Sequence, residues 1–288
     1  MAAIANLGTL INIATGGGGT APVQVPFHKH PFVAGLTPGT LVAGRIWSLW
    51  MWDGQPGAAT AAPTTAVTVN NATAGSLQQG TPGGGVDLFL AGFVASAHVA
   101  GTLVVYDRLA QQGGLSATTT GAQTTNLPTA ALSRYTSGVG VEAWLEIYTA
   151  IGTTATTVKA SYTNTVPASG QTTPQGTNGP TFGSAGFDGA QQILPLGLQS
   201  GDLGVKAVAS VTITASTLTA GNFGVTLAYP LAVLPMPLPG AASLWSGIMT
   251  AGGPLDLGTA ADSCIALAWV GNTTTAPYIR GSAYFVYN

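Results

Sequence analysis

Three histidines are the first residues in this chain that could do chemistry, and two of them, His28 and His30, stand two residues apart. In a strand, residues at this spacing project from one face, so both imidazoles could hold the same metal ion. A tetrahedral site needs further ligands, and only His98 or an aspartate from elsewhere could supply one. Pro31 follows directly in a loop-like stretch. We therefore interpret the pair as surface or interface residues and predict no metal ligand.

Glu142 and Glu146 would share one face of a strand, which suggests a glycosidase pair. Glycosidases hold their two carboxyl groups about 5 to 9.5 Å apart. Four residues of strand separate these two by about 13 Å, at about 3.3 Å per residue. We interpret them as part of a solvated or interface face and predict no catalytic residue.

A cysteine and a tryptophan cluster complete the candidates. Cys264 begins the apolar run 264–270, which favours a buried core thiol over a nucleophile. Trp47, Trp50 and Trp52 could stack on a sugar, with Trp50 and Trp52 on one strand face and Trp47 on the other. We favour the core or a subunit interface for them. Carbohydrate binding stays open as the alternative, and it requires Trp50 and Trp52 to be exposed in a groove.

Charged residues are rare in this chain. Its 7 Lys or Arg and 9 Asp or Glu make up 6% of 288 residues, where a soluble domain carries about 25%. So few ionisable groups favour a non-enzymatic protein, and the scattered basic residues give no footprint for nucleic acid. No nucleophile elbow, phosphate loop or dinucleotide motif is present, so we predict no cofactor.

The apolar stretches also limit where the chain could reside. The longest weakly charged run, residues 86–109, is too interrupted for a membrane helix of about 20 apolar residues. No basic residue precedes the apolar N-terminal stretch, as a secretory signal requires. Since interfaces are depleted of charge and enriched in aromatic residues, the composition favours a chain that packs against neighbours.

The elements that must position these residues are predicted to be strands. Thr, Gly and Val are plentiful and turn signals are frequent, which is typical of an all-β protein, either a β-sandwich or jelly roll of antiparallel sheets with long Gly/Pro/Thr-rich loops. Residues 141–148 show the clearest alternation, with apolar odd-numbered positions. Strand-like residues begin at Thr40, and four prolines in residues 230–239 exclude a helix interior and a central strand there.

Four segments follow from these patterns. Residues 1–39 form an extended N-terminal arm and a glycine-rich joint, because Gly16–Gly19 make a flexible connection. Residues 40–166 form a β-rich lobe and residues 167–189 a loop. Residues 190–288 form a second β-rich lobe, which could instead build one continuous sandwich with the first.

Several stretches resemble structural proteins encoded among the virion genes of tailed bacteriophages. The stretches are Ala100–Leu109, Gly113–Ser116 and Leu132–Glu146, followed by the shorter Leu194–Leu196, Ser200–Val205 and Thr219–Val225. The resemblance covers roughly residues 86–235. It implies a virion component assembled in the cytoplasm of a bacterial host, and it supplies no catalytic residue.

We therefore expect a capsid decoration protein that stabilises a phage head. It would form a homo-oligomer, with a trimer favoured, and would contact the major capsid protein or another virion protein, partly through residues 1–19. We expect no direct contact with nucleic acid or membrane. The alternatives are a tail, neck or baseplate subunit, or a carbohydrate-binding adhesive β-protein.

Overall fold

The computed structural model describes residues 8, 22–31, 41–77, 88–128, 130–165, 171–172, 182–183, 187–247, 258–259 and 262–287. These residues build an all-β structure whose recorded strand pairs are antiparallel, which confirms the predicted fold class. The strands are β1 (Val23–His30), β2 (Ile46–Ser48), β3 (Asp53–Gln55), β4 (Val67–Thr68), β5 (Leu88–Ala97), β6 (Gly101–Leu115), β7 (Gln123–Leu127), β8 (Glu142–Thr149), β9 (Val158–Asn164), β10 (Gln171–Thr172), β11 (Gln192–Pro195), β12 (Val205–Ile213), β13 (Asn222–Met236), β14 (Ala242–Ser246), β15 (Gly258–Thr259), β16 (Ile265–Gly271) and β17 (Ile279–Tyr287).

Six of these strands close into a barrel. They follow each other in the order β13, β8, β11, β2, β16 and β6, and β6 pairs with β13 to complete the ring. The short β4 pairs with β6 outside the ring. The finer expectation of a sandwich or jelly roll is not confirmed. In the described part of the chain, no helix is long and apolar enough to cross a membrane.

Two further sheets cover different parts of the outer wall of the barrel. The front sheet has the order β14, β5, β17, β1 and β3, with β15 also paired to β5, and the back sheet has the order β10, β9, β12 and β7. Leu103 and Trp269 of the barrel share one buried cluster with Phe93 of the front sheet. Leu145 of the barrel shares a second cluster with Val211 of the back sheet.

The alternation predicted for residues 141–148 is confirmed in β8, but both of its faces are buried. The odd-numbered residues from Val141 to Ile147 pack towards the back sheet, so the even-numbered ones point into the barrel. The predicted solvated or interface face is wrong for Glu146, which is only 1% exposed. Glu142, at the start of β8, is half-buried and accepts a hydrogen bond of 2.6 Å from Trp144 Nε1.

Inside the barrel, Glu146 forms an ion pair with Arg108 of β6, with 2.5 Å between Oε2 and Nη2. Thr226 Oγ1 donates to the same oxygen at 2.9 Å, and Tyr148 OH donates at 3.2 Å. Burial by itself raises the pKa of Glu146, but the charge of Arg108 and the hydrogen bonds from Arg108, Ser48 and Thr226 together outweigh it, so the net pKa lies below the usual value. The Trp50 ring lies 4.5 Å from the guanidinium carbon of Arg108. The carboxylate is therefore ionised and paired.

A second buried ion pair fastens the loop before β8 to the barrel. Arg134 donates to both carboxylate oxygens of Asp107, at 3.0 and 2.9 Å. It also donates to the backbone carbonyls of Val69 and Arg108, each at 3.0 Å. Burial raises the pKa of Asp107 and outweighs the opposing effect of Arg134. Asp107 and Arg108 are thus neighbours in sequence with separate partners.

Two strands depart from the expected pattern. The sequence predicts strand-like residues to begin at Thr40, but β1 begins earlier, at Val23. Its residues from Val23 to Lys29 alternate between inward and outward positions, as a strand requires. β13 runs through two of the four prolines predicted to exclude a central strand. It pairs with β8 only up to Ala228 and with β6 alone beyond it. Pro230 and Pro235 therefore occupy an edge segment, where a missing N–H is tolerated.

Strands from residues 40–166 and 190–288 alternate in every sheet. The barrel combines β6 and β8 with β13 and β16, the front sheet combines β5 with β17, and the back sheet combines β9 with β12. Within the predicted segment 1–39, β1 pairs with β17. The rest of the predicted arm in residues 1–19, apart from residue 8, lies outside the described residues, as does most of the predicted loop 167–189.

Replacing Glu146 by Gln is expected to lower the free energy of unfolding by about 3–5 kcal/mol, because Arg108 would keep its buried charge without an opposite charge. Urea denaturation measures the loss. The matched control is Glu142→Gln, which keeps an oxygen acceptor for Trp144 on the same strand and should cost about 1 kcal/mol or less. Equal losses in the two variants would contradict the role given to the buried pair.

Candidate functional site

A cleft on the outer face of the front sheet, the face away from the barrel, brings together all three histidines of the chain. One row of side chains in this cleft comes from three neighbouring strands. His28 of β1 lies opposite Arg280 of β17, and Arg280 lies opposite Ser96 of β5. Their neighbours Phe27 and Ile279 point the other way, into the core. Strand alternation therefore holds the row towards solvent.

Two loop residues close one end of the cleft. His98 follows β5, and Tyr278 precedes β17. The backbone N–H of His98 donates to the Tyr278 carbonyl at 3.3 Å, and the backbone N–H of Tyr278 donates to His98 Nδ1 at 2.8 Å. The two ring centroids are 5.2 Å apart. These reciprocal bonds fix the His98 ring beside Tyr278.

The aromatic rings of the cleft form a row. The His28 and His30 centroids are 6.3 Å apart with an interplanar angle of 15°. The His30 and Tyr278 centroids are also 6.3 Å apart, at 28°. The volume of the cleft is about 340 Å³, which lies within the usual size range of small-ligand sites, about 300–1,000 Å³.

The convergence of the histidines does not produce a three-ligand metal site. Among the described residues, no group of three or more His, Cys, Asp or Glu is arranged to hold a metal ion. His98 Nδ1 accepts a backbone N–H, so the proton of the neutral ring lies on Nε2. His98 thus presents a donor to the cleft, where a metal would require a lone pair.

Lys29 lies beneath the cleft, on the core side of β1. Its Nζ is buried and donates to the carbonyls of Trp52 at 2.9 Å and Pro56 at 2.7 Å. Burial lowers the pKa of Lys29 to about 8, and the Asp53 charge opposes this effect. The lysine thereby ties β1 to the chain on both sides of β3.

The tryptophan cluster is core, as favoured from the sequence. Trp47, Trp50 and Trp52 are each at most 1% exposed, so none of them can stack on a sugar. The expected division of faces is wrong: Trp47 and Trp52 share the cluster beneath the front sheet, and Trp50 lies in another. β2 ends at Ser48, so strand alternation does not extend through the turn that carries Trp50.

Cys264 is a buried thiol, as predicted. Burial raises the pKa of Cys264 to about 12. Its thiol is therefore protonated at neutral pH, whereas a nucleophilic cysteine needs its thiolate.

Sequence reasoning missed two residues of the cleft, Arg280 and Tyr278. Arg280 holds an outward position in the last strand, and that alternation could have shown it to be exposed. Its proximity to His28 could not be predicted, because it depends on the pairing of β1 with a strand about 250 residues away. The sequence indicated His98 only as one possible third metal ligand.

Lys29→Met tests the buried amine. A lysine whose pKa is lowered by folding binds its proton less readily in the folded chain than in the unfolded chain. The free energy of unfolding of the wild type, relative to Lys29→Met, should therefore rise by about 2 kcal/mol from pH 7 to pH 9.5. Urea denaturation across this range measures the difference. A difference that does not change with pH would contradict the lowered pKa.

Comparison of the chain with protein-family models, with curated proteins and with solved structures gave no match. The site is an open cleft on a sheet face, lined by imidazole, phenol and guanidinium groups over a buried lysine.

Proposed function

We propose that the chain is a non-enzymatic structural protein of a tailed-bacteriophage virion, which decorates the capsid as a homotrimer and stabilises the head. The observation that carries this proposal is the nearly uncharged surface. Of the fourteen charged residues that the structure describes, five are buried, namely Lys29, Asp107, Arg108, Arg134 and Glu146. A free soluble domain needs charges on about 25–35% of its surface residues. A chain with so few is suited to being covered by neighbours.

The outer face of the front sheet supports such assembly. Leu244 of β14 is 71% exposed, and Tyr284 of β17 is also exposed. Leu244 lies opposite the half-buried Val94 of β5, and Ser282 lies on the other side of Val94. Apolar and aromatic side chains surrounded by uncharged polar ones are typical of the centre of a protein contact.

The location of the charges supports a role without catalysis. Arg108 and Glu146 form one buried ion pair, and Arg134 and Asp107 form the other. Catalytic groups need access to a substrate. In the described residues, these ionisable groups instead join strands and loops inside the fold.

The assignment to a phage particle rests on the resemblance of residues 86–235 to virion proteins. That resemblance is compatible with several positions, so a tail, neck or baseplate subunit is the second candidate. The carbohydrate-binding alternative depended on exposed Trp50 and Trp52, and burial of both rings removes that argument.

Leu244→Asp tests the contact face. A charge placed within a dehydrated contact is costly, so the affinity for purified heads lacking the protein should fall at least about tenfold, equivalent to about 1.4 kcal/mol. Co-sedimentation with the heads measures occupancy. Leu218→Asp is the control, since Leu218 is also highly exposed but lies in the turn between β12 and β13; it should bind like the wild type.

Three results would overturn parts of this proposal. Failure of the wild type to sediment with heads, together with antibody labelling of the tail, neck or baseplate, would exclude decoration and support the second candidate. A monomer in analytical ultracentrifugation at the concentration that saturates heads would exclude the trimer. Equal occupancy by Leu244→Asp and wild type would exclude the front sheet as the contact face.

A further inference from the structure

We propose that the cleft formed by His28, His30, His98, Tyr278 and Arg280 binds a ligand through an oxyanion, either a carboxylate or a sulfate-like group. Nothing in the proposed structural role requires this site. The proposal rests on the convergence of the His28 and His30 pair with His98 and Arg280 from distant parts of the sequence, and on the charge and the donors that these residues present.

The groups facing the cleft come from several elements and favour negative charge. β1 contributes His28 and His30, β17 contributes Arg280, and β5 contributes Ser96. The loops add His98 and Tyr278. No acidic side chain is among the described residues that line the cleft.

Two further charged groups lie nearby, one of each sign. Asp53 of β3 is the closest acidic residue along the sheet and lies opposite His30 in the backbone register. Lys29 projects to the core side beneath. The described residues that line the cleft therefore offer an anion the guanidinium of Arg280 and no carboxylate.

The cleft also presents fixed hydrogen-bond donors. Because His98 Nδ1 accepts a hydrogen bond from the Tyr278 backbone, the N–H donor of the neutral ring is on Nε2. Arg280 supplies planar N–H donors that match the oxygens of a carboxylate or sulfate.

An oxyanion fits this chemistry better than a metal ion does. One of the three imidazoles already uses its Nδ1 lone pair within the protein, and the described residues include no group of three metal-ligating side chains. A guanidinium beside the histidines would repel a cation. The volume of about 340 Å³ accommodates an anionic group attached to a body the size of one sugar ring.

Imidazole NMR provides a direct test, since every histidine of the chain lies in the cleft. The probes are sodium sulfate, and glucuronate with glucose as its uncharged counterpart, added at constant ionic strength set with NaCl. At pH 6.0 sulfate and glucuronate should shift the imidazole ¹H–¹³C signals along a saturating curve, and glucose should not. Replacing each histidine by Gln assigns the signals.

Arg280→Gln should weaken binding at least about tenfold at pH 6.0, since it removes the charge-assisted hydrogen bonds, a change of about 1.4 kcal/mol. Arg280 is exposed, so the variant should fold normally. Lys206→Gln, on the back sheet, is the matched control and should bind like the wild type. Equal shifts with NaCl, or equal affinity in Arg280→Gln and wild type, would overturn the site. Saturable binding of Zn²⁺ without any response to sulfate would overturn it in favour of a metal site.

Discussion

The buried ion pair between Arg108 and Glu146 is the constraint on which the barrel depends. A barrel of six strands has an interior that side chains must fill, and a charge there is tolerated only when it is paired and hydrogen-bonded. Glu146 meets this condition through Arg108, Thr226 and Tyr148, which come from three strands. A slip of one residue in β6 or β8 would turn a charged group towards an apolar core.

Such a pair specifies the arrangement of strands more than it stabilises the fold. Replacing a buried ion pair by well-packed apolar residues is often neutral or stabilising, so burial alone does not explain its presence. Asp107 and Arg108 face different partners across the wall of the barrel, with Arg134 on one side and Glu146 on the other. The register of β6 therefore affects both the barrel interior and the loop that Arg134 anchors.

The sequence predicted the local alternation of side chains correctly, but it did not predict that the strands close into a barrel. The alternation in residues 141–148 gave the correct faces of β8, because period-two geometry is a local property. It could not reveal that the second face would also be covered, so Glu146 was expected at a surface. The expectation that Trp50 and Trp52 share one face was wrong for a related reason, since β2 ends at Ser48, before both of them. The histidine cleft depends on the pairing of β1 with β17, a contact between the two ends of the chain.

The cleft and the apolar face are parts of the same surface. Arg280, Ser282 and Tyr284 project from one side of β17 at intervals of two residues, about 7 Å each. A subunit in contact with Leu244 and Tyr284 would therefore approach the cleft within two such intervals. If the contact of that subunit reached the cleft, ligand binding and assembly would be thermodynamically linked, and the linkage would be reciprocal. An anion that binds only the unassembled chain would oppose assembly. An anion that the neighbouring subunit encloses would promote assembly. The direction in which an anion changes assembly therefore indicates whether the subunit contact covers the cleft.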